Sequence, residues 1–252
     1  MFKIVDEQSA PKTKENYNEL IEVKELPSGF KTYNTTSVYL RGLTVGEVRA
    51  LNRSSDVSFK TLVKIYANVI KEVKIEDLLP IDFKALMFYV AKITDTDFAI
   101  KAESKCPSCG NSFPITIKLE DIEFDDLESK NIIIDDMVFN HIRIRDLLML
   151  DAVKTRLGDE LNEEYDDELS ILTFCKNQNI ANIDQIDDAV SMFIEEYNKL
   201  SALPAKPYST KLNDVYKKIN LGLKNIAIKC PSEPCGREYS SALELNFTRL
   251  YL

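Results

Sequence analysis

Two short stretches, Cys106-Pro107-Ser108-Cys109-Gly110 and Cys230-Pro231-Ser232-Glu233-Pro234-Cys235-Gly236, determine the fold that this sequence predicts. In each stretch a proline follows the first cysteine and a glycine follows the second. Proline restricts the backbone and glycine lets it turn back, so each stretch predicts a tight turn whose amides can donate to sulfur. Each turn supplies two thiolates, whereas a structural zinc ion takes four ligands. The simplest prediction is one structural zinc ion per chain, held by Cys106, Cys109, Cys230 and Cys235.

Other interpretations of these cysteines stay open. They could be four reduced thiols in turns, or two disulfides, and the two-residue spacer between Cys106 and Cys109 also occurs in redox enzymes. No helical pattern starts at Cys106, which makes redox chemistry the weaker interpretation. The fifth cysteine, Cys175, shares an apolar pattern with Leu172 and Phe174 and is predicted to be a buried core thiol.

The composition is that of a globular protein from a reducing compartment. Hydrophobic residues make up 44% of the 252 residues, so the chain can bury one large core or two small ones. It has no apolar run long enough to span a bilayer, and residues 1–19 are polar rather than signal-like. An odd number of cysteines argues against a secreted disulfide scaffold. We therefore expect a cytoplasmic protein with a flexible segment at residues 1–19.

Charge and residue inventory argue against several classes of function. The formal net charge of −9 disfavours broad affinity for nucleic acid, which needs concentrated lysine and arginine. His141 is the only histidine, whereas most hydrolases use imidazole as a base or a ligand, and its position before an apolar strand suggests packing. The sequence has seven glycines and no glycine-rich phosphate loop, so a nucleotide site is not expected. Four thiolates around zinc also leave no open coordination position. We expect no catalytic residues and no enzymatic activity.

The hydrophobic pattern predicts an α+β fold with a helical core and short β-hairpins. The first half of the chain, residues 20–128, contains the first cysteine turn. Its predicted elements are strands at 20–26 and 37–41 around a Pro27-Ser28-Gly29 turn, helices starting at Thr44 and covering 59–70 and 83–93, and strands at 98–100 and 113–117. Thr44 and Glu47 have the spacing of a capping box.

The second half, residues 129–252, is predicted to follow the same order around the second cysteine turn. Its predicted elements are a strand at 142–145, helices at 169–175, 186–200 and 212–223, and strands at 226–228 and 241–245. Ile142–Leu147 echoes Val38–Leu43, since each alternates apolar residues, reaches an arginine and then starts a helix. The sequence thus predicts two pseudo-repeated halves joined by a zinc-ribbon-like site of four cysteines. Identity between the halves is slight, so convergent patterning is an equal alternative to duplication.

Several motifs together resemble one protein family. They are Leu26-Pro27-Ser28-Gly29, Leu40-Arg41-Gly42-Leu43-Thr44 with Glu47, Asp77–Phe83 opening a helix, Cys106–Gly110 followed by Leu119–Ile122, and the aromatic segment Phe247–Leu252. This series resembles the baseplate hub and hub assembly proteins of T-even-like contractile-tailed bacteriophages, and it covers most of the chain from about residue 20. The chain departs from relatives in which the second cysteine pair has a two-residue spacer, since Glu233 and Pro234 widen it to four residues.

The resemblance implies a role in assembling the baseplate hub at the tip of a phage tail. The protein would bind other tail or hub proteins in the host cytoplasm, as an assembly factor or as a component that stays in the virion. The surface expected to meet a partner is the apolar chain end, Phe247, Leu250, Tyr251 and Leu252, with packing on the protein's own core as the alternative.

A transcription-associated zinc-ribbon protein is the second interpretation. It would use similar cysteine turns and would need basic or aromatic side chains on the ribbon. The residues that qualify are Lys101, Lys105, Lys118, Lys229 and Arg237. Binding to nucleic acid or to a polymerase would be its activity.

Overall fold

A computed structural model describes residues 20–52, 58–158 and 165–242. Within these ranges the chain has seven α-helices and short antiparallel strand pairs, which confirms the predicted α+β fold. The helices are α1 (Val45–Asn52), α2 (Phe59–Val69), α3 (Pro80–Thr94), α4 (Ile144–Leu157), α5 (Asp167–Lys176), α6 (Ile186–Ser201) and α7 (Ala205–Ile219). The strands are β1 (Ile21–Val23), β2 (Val38–Leu40), β3 (Ile70–Lys71), β4 (Ala99–Lys105), β5 (Ser112–Lys118), β6 (Asn131–Ile134), β7 (Met137–Asn140), β8 (Ile226–Lys229) and β9 (Glu238–Ser241).

The chain forms two compact units whose composition differs from the predicted division at residue 128. In described residues, unit 1 contains 20–52, 58–73, 81–126 and 222–242, and unit 2 contains 74–80, 127–158 and 165–221. One boundary falls next to the predicted one, but the segment that carries the second cysteine turn belongs with the first unit. The element order still runs twice through strands, helices and a cysteine hairpin. Duplication of the halves and convergent patterning stay as the two alternative predictions.

Unit 1 contains a small sheet and the largely buried helix α3. Strands β1, β2 and β3 form an antiparallel sheet in that order, with Leu40 of β2 opposite both Ile21 and Ile70. The strands predicted at 20–26 and 37–41 pair as expected but are shorter. Ile70, predicted as the end of a helical stripe, lies in β3. Helix α3 buries nine of its fifteen residues, and its Phe83 ring packs edge-on against Tyr66 at 5.5 Å between centroids.

The predicted capping box at the start of α1 is confirmed. The Thr44 amide donates to Glu47 Oε2 at 2.8 Å, and the Glu47 amide donates to Thr44 Oγ1 at 3.3 Å. Arg41 adds two hydrogen bonds of 2.8 Å to the same carboxylate, and these bonds hold the pKa of Glu47 down at about 2. The exchange of bonds satisfies amides that the first helical turn leaves without partners.

A buried carboxylate fixes the Pro27-Ser28-Gly29 turn. Asp82 of α3 is fully buried and accepts the Ser28 amide at 2.9 Å and the Tyr33 hydroxyl. Burial raises the pKa of Asp82. Gly29 and Phe30 both have a φ of 60°, so the turn holds one non-glycine residue in the left-handed region. The hydrogen bonds to Asp82 hold this conformation in place.

Unit 1 also contains the point where the chain leaves for unit 2 and returns. Phe124 and Leu223 form an antiparallel bridge, flanked by hydrogen bonds from the Asp125 amide to the Gly222 carbonyl and from the Lys224 amide to the Glu123 carbonyl. These bonds are 3.0 and 2.8 Å long. Asp125 and Gly222 are 97 residues apart in the sequence. The two segments that contain them therefore lie side by side.

Unit 2 contains the β6–β7 hairpin and helices α4 to α7. One core cluster includes Phe139, Leu172 and Cys175, and a second includes Val153, Phe174 and Phe193. The helices predicted at 169–175 and 186–200 are confirmed as α5 and α6, whereas the one predicted at 212–223 is α7, which begins and ends earlier.

The strand predicted at 142–145 is wrong, because helix α4 begins at Ile144. Asp146 accepts the Arg143 amide at 2.7 Å and so satisfies a donor at the helix start. The strands of this region are β6 and β7, which lie before His141 and were not predicted.

Some predictions fall on residues outside the described ranges. They are the flexible segment 1–19, most of the strand predicted at 241–245, and the apolar chain end Phe247–Leu252. Of the helices in the described ranges, none is long and apolar enough to cross a bilayer.

Candidate metal centre

Two antiparallel hairpins of unit 1 position the four cysteines. Strands β4 and β5 pair from Ala99 opposite Lys118 to Lys105 opposite Ser112, and the first cysteine turn joins them. Strands β8 and β9 pair from Ile226 opposite Ser241 to Lys229 opposite Glu238, and the second cysteine turn joins them. Both turns therefore lie at the end of a two-stranded ribbon, with the first cysteine of each pair directly after a strand.

The two turns close with matching backbone hydrogen bonds. In the first turn the Cys106 amide donates to the Asn111 carbonyl at 2.9 Å, and the Gly110 amide donates to the Cys106 carbonyl at 2.9 Å. Gly110 has a φ of 71°, which a residue with a Cβ adopts at a cost. The second turn repeats the pattern with bonds from Cys230 to Arg237 and from Gly236 to Ser232, and with a φ of 53° at Gly236.

The four sulfur atoms meet in a cluster with tetrahedral dimensions. All four Sγ atoms lie within 4.8 Å of one another. The Sγ distance is 3.8 Å from Cys106 to Cys235 and 3.7 Å from Cys109 to Cys230. With zinc–sulfur bonds of about 2.3 Å, the edge of a regular tetrahedron is about 3.8 Å. These four residues could therefore hold one metal ion, and they come together across separations of 129 and 121 residues.

The free thiols exclude the disulfide alternative for this structure. All five cysteines of the chain are free. A disulfide bond requires about 2.05 Å between sulfur atoms, far less than the 3.7 and 3.8 Å observed.

The cluster has a buried side and an exposed side. Cys106 and Cys230 are 1% and 2% exposed and pack with Phe113 and Ile228 in an apolar cluster. Cys235 is half-buried, and Cys109 is exposed to solvent. Solvent therefore reaches the site mainly at Cys109.

Side-chain hydrogen bonds tie the two hairpins together around the cysteines. Ser104 of β4 and Tyr239 of β9 share a hydroxyl–hydroxyl hydrogen bond of 2.8 Å. The Arg237 guanidinium donates to the Ser108 hydroxyl at 2.6 Å. Neither Ser104 nor Tyr239 was predicted to have a role in the site. Their signal would have been strand alternation, because Ser104 lies on the same face of β4 as the buried Ile100, and Tyr239 lies opposite the buried Ile228.

The surroundings of the sulfur atoms lower the pKa of one thiol and raise the pKa of another. Amide donation by Cys109, and then by Ser108, lowers the pKa of the Cys106 thiol to about 7. Burial raises the pKa of the Cys230 thiol to about 12. Four thiolates this close together repel one another, so a cation is needed to hold all of them deprotonated. The cluster is thus suited to binding a metal ion.

The remaining cysteine and the histidine lie in unit 2. Cys175 is fully buried in the first core cluster, where burial raises the pKa of its thiol. His141 is 5% exposed, and its Nε2 lies 2.7 Å from the Ser129 carbonyl oxygen, to which it donates. Burial lowers the pKa of this imidazole. Both residues occupy the structural positions predicted for them, whereas Phe247, Leu250, Tyr251 and Leu252 lie outside the described residues.

The fold and the site define an α+β protein with a cluster of four cysteines, at the tips of two hairpins, that could hold a metal ion. Comparison with protein-family models, with curated proteins and with solved structures found no match to this chain.

Proposed function

We propose that this chain binds one structural zinc ion and acts, without catalysis, by binding other proteins in the baseplate hub of a contractile phage tail. The four-cysteine cluster is the observation that carries the metal part of the proposal. The resemblance of the motifs around Ser28, Arg41 and Asp82 to the hub family carries the phage part. The protein would work in the host cytoplasm during assembly, either as an assembly factor or as a component kept in the virion.

Zinc is the ion that suits the cluster. Four thiolates in a tetrahedral arrangement are typical ligands of zinc, and of iron as the main competitor. Zinc bound to all four sulfurs would have no open position for water or substrate, so its role would be structural. It would fix the two hairpins to each other and contribute directly to the stability of unit 1.

The family motifs support a structural role for the residues they contain. Asp82 holds the turn at Ser28 through a 2.9 Å hydrogen bond, and Arg41 holds the start of α1 through Glu47. These polar groups satisfy one another inside unit 1, which is the pattern expected of residues that maintain a scaffold. A rigid scaffold fits a protein that holds partner surfaces in a fixed relation.

Elemental analysis tests the metal. We expect about one zinc and no iron per chain in protein purified without chelator, because four thiolates complete one tetrahedral site. Cys230→Ser should lose the zinc, and Cys175→Ser, which changes a thiol in unit 2, should keep it. Zinc near zero or near two per chain, or iron in its place, would contradict the assignment.

Co-expression with tail and hub proteins tests the partner. We expect at least one hub protein to co-purify with the full chain and to be lost when Leu250 and Tyr251 are both changed to serine. A matched variant, Thr248→Ser with Arg249→Lys, alters the neighbouring polar positions and should keep the partner. Lost binding at an unchanged melting temperature supports docking through the chain end. Lost stability would assign that end to the protein's own core.

A nucleic-acid role is the second candidate because the two hairpins carry exposed basic residues. Lys101, Lys105 and Lys118 are exposed on the first hairpin, as are Lys229 and Arg237 on the second. Exposed acidic residues lie among them at Glu103, Glu233 and Glu238, which weakens attraction to phosphate. Binding of single- or double-stranded nucleic acid at physiological salt, with no co-purifying tail protein, would favour this role.

A further inference from the structure

The four ligands of the candidate zinc site differ in their access to solvent. Cys106 and Cys230 are almost completely buried beneath Phe113 and Ile228, whereas Cys109 is exposed. A dissolved electrophile must touch a sulfur atom to react with it. Because zinc-bound thiolates remain nucleophilic, the exposed sulfur is the one that a small oxidant meets first.

A sulfur atom for a second step lies close to Cys109 on the other hairpin. Cys109 and Cys230 have Sγ atoms 3.7 Å apart, and Cys106 and Cys235 form the corresponding pair at 3.8 Å. A movement of under 2 Å, about the difference from a disulfide bond, would join either pair. Both pairs cross between the hairpins, so oxidation would replace a metal link by a covalent one.

We propose that Cys109 is the oxidant-sensitive ligand of this site, and that a peroxide converts Cys109 and Cys230 into a disulfide between the two hairpins with release of the metal. This inference rests on the proposed zinc site. The site would then release its metal in response to an oxidant while the disulfide keeps the hairpins connected. Such a response serves regulation and not catalysis.

The chemistry uses one peroxide for each disulfide. The Cys109 thiolate attacks hydrogen peroxide, the O–O bond breaks, and the products are a sulfenic acid at Cys109 and one hydroxide. The Cys230 thiolate then attacks the Cys109 sulfur, an S–S bond forms, the S–O bond breaks, and a second hydroxide leaves. Two electrons pass from the two thiolates to the peroxide. Only Cys106 and Cys235 would then remain as thiolate ligands, too few for a closed tetrahedral site, so a chelator would take up the metal.

The experiment is a hydrogen peroxide titration of the zinc-loaded chain, after its zinc content has been measured. Released zinc is followed with a chromophoric chelator, and disulfides are located by mass spectrometry of unreduced peptides. We expect loss of about one zinc per chain to accompany a Cys109–Cys230 link, and a Cys106–Cys235 link only with further peroxide. In parallel, limiting iodoacetamide should alkylate Cys109 before the other three ligands.

Controls separate this inference from the zinc assignment itself. Cys175→Ser lacks a buried thiol outside the cluster and should show the same peroxide response. A zinc-loaded chain that forms Cys106–Cys109 or Cys230–Cys235 links first, or that is alkylated first at Cys106 or Cys230, overturns the inference and leaves the zinc site standing. A chain that carries no zinc before peroxide is added overturns the zinc assignment and the inference with it.

Discussion

At the scale of single residues, Gly110 shows how one backbone angle shapes the first cysteine turn. Its φ of 71° lets the chain turn back after Cys109, and its amide closes the turn on Cys106. A Cβ added at this position would meet no atom within 4 Å. Any penalty for a larger residue must therefore come from the backbone and not from a clash.

Gly110→Ala should lower the free energy of unfolding by about 1 kcal/mol and weaken zinc binding, because alanine resists the left-handed conformation. The matched control is Gly46→Ala in helix α1, where alanine is the better helix former and should raise stability by about 0.5 kcal/mol. Urea unfolding of both variants provides the measurement. If the free energy of unfolding changed with the same sign in the two variants, the backbone explanation would be contradicted.

Asp146 is a second residue whose environment sets a measurable property. It is fully buried, and among the described residues its Oδ1 atom has no hydrogen-bond partner. Burial raises the pKa of Asp146 to about 6, with smaller opposing effects from Arg143 and Arg145. In the unfolded chain an aspartate has a pKa of about 3.9, so the folded protein binds the proton more tightly. Its contribution to stability is complete below pH 4 and is lost as the pH rises through 6.

Asp146→Asn should remove this pH dependence. As the pH falls from 7 to 4, the wild-type protein should gain about 2–3 kcal/mol of unfolding free energy relative to the variant. Asparagine keeps an oxygen that can accept the Arg143 amide, so the start of α4 should survive. Urea unfolding at pH 4, 5, 6 and 7 checks the difference, and parallel curves for the two proteins would refute the raised pKa.

At the scale of elements, the sequence predicts best where a local signal is strong. The exchange of bonds between Thr44 and Glu47 is local, and so is the turn between β4 and β5, and both were predicted. The strand at 142–145 failed because its alternating residues start a helix once Asp146 accepts the Arg143 amide. Strand β6 was missed because its run Ile132–Ile134 is continuously apolar and shows no alternation.

The hydrogen bond between Ser104 and Tyr239 gives a test of how the hairpins are coupled. Tyr239→Phe leaves the buried Ser104 hydroxyl without this partner and should cost about 1 kcal/mol of unfolding free energy. It should also speed the transfer of zinc to a chelator. Tyr39→Phe removes an exposed 3.3 Å contact to Glu22 and should change stability by less than about 0.5 kcal/mol. Equal effects of the two changes would show that the hairpins do not depend on this bond.

At the scale of the whole molecule, the cysteine spacing predicted the four residues that come together but not the unit that contains them. Spacing within each turn is a local property and suffices to propose a tetrahedral site. The pairing of Phe124 with Leu223, which returns the chain to unit 1, depends on contacts between distant residues. Single-sequence patterns carry no information on such contacts, so residues 222–242 were assigned to the second half.

Because both cysteine turns belong to unit 1, the loss of one of the four cysteines should destabilise that unit. Cys235→Ser should destabilise unit 1 by roughly 5 kcal/mol or more, because zinc contributes about 10 kcal/mol or more to small zinc domains. Cys175→Ala removes a buried sulfur from unit 2 and should cost about 1 kcal/mol. Thermal melts measure the loss of stability in each variant, and hydrogen exchange shows which unit has lost it. Equal losses, or a loss confined to residues 127–221 in Cys235→Ser, would contradict the metal assignment.

The separation of the two cysteine turns has a consequence for synthesis of the chain on the ribosome. Cys109 and Cys230 are 121 residues apart, and a ribosome adds about 5–20 residues per second. The first pair therefore emerges roughly 6–24 s before the second, and residues 127–221 of unit 2 are translated in the interval. During that delay the nascent chain presents half of a metal site, open to capture by any soft cation or by another thiol. The cysteine cluster can be completed only after the residues between the two pairs have been synthesised.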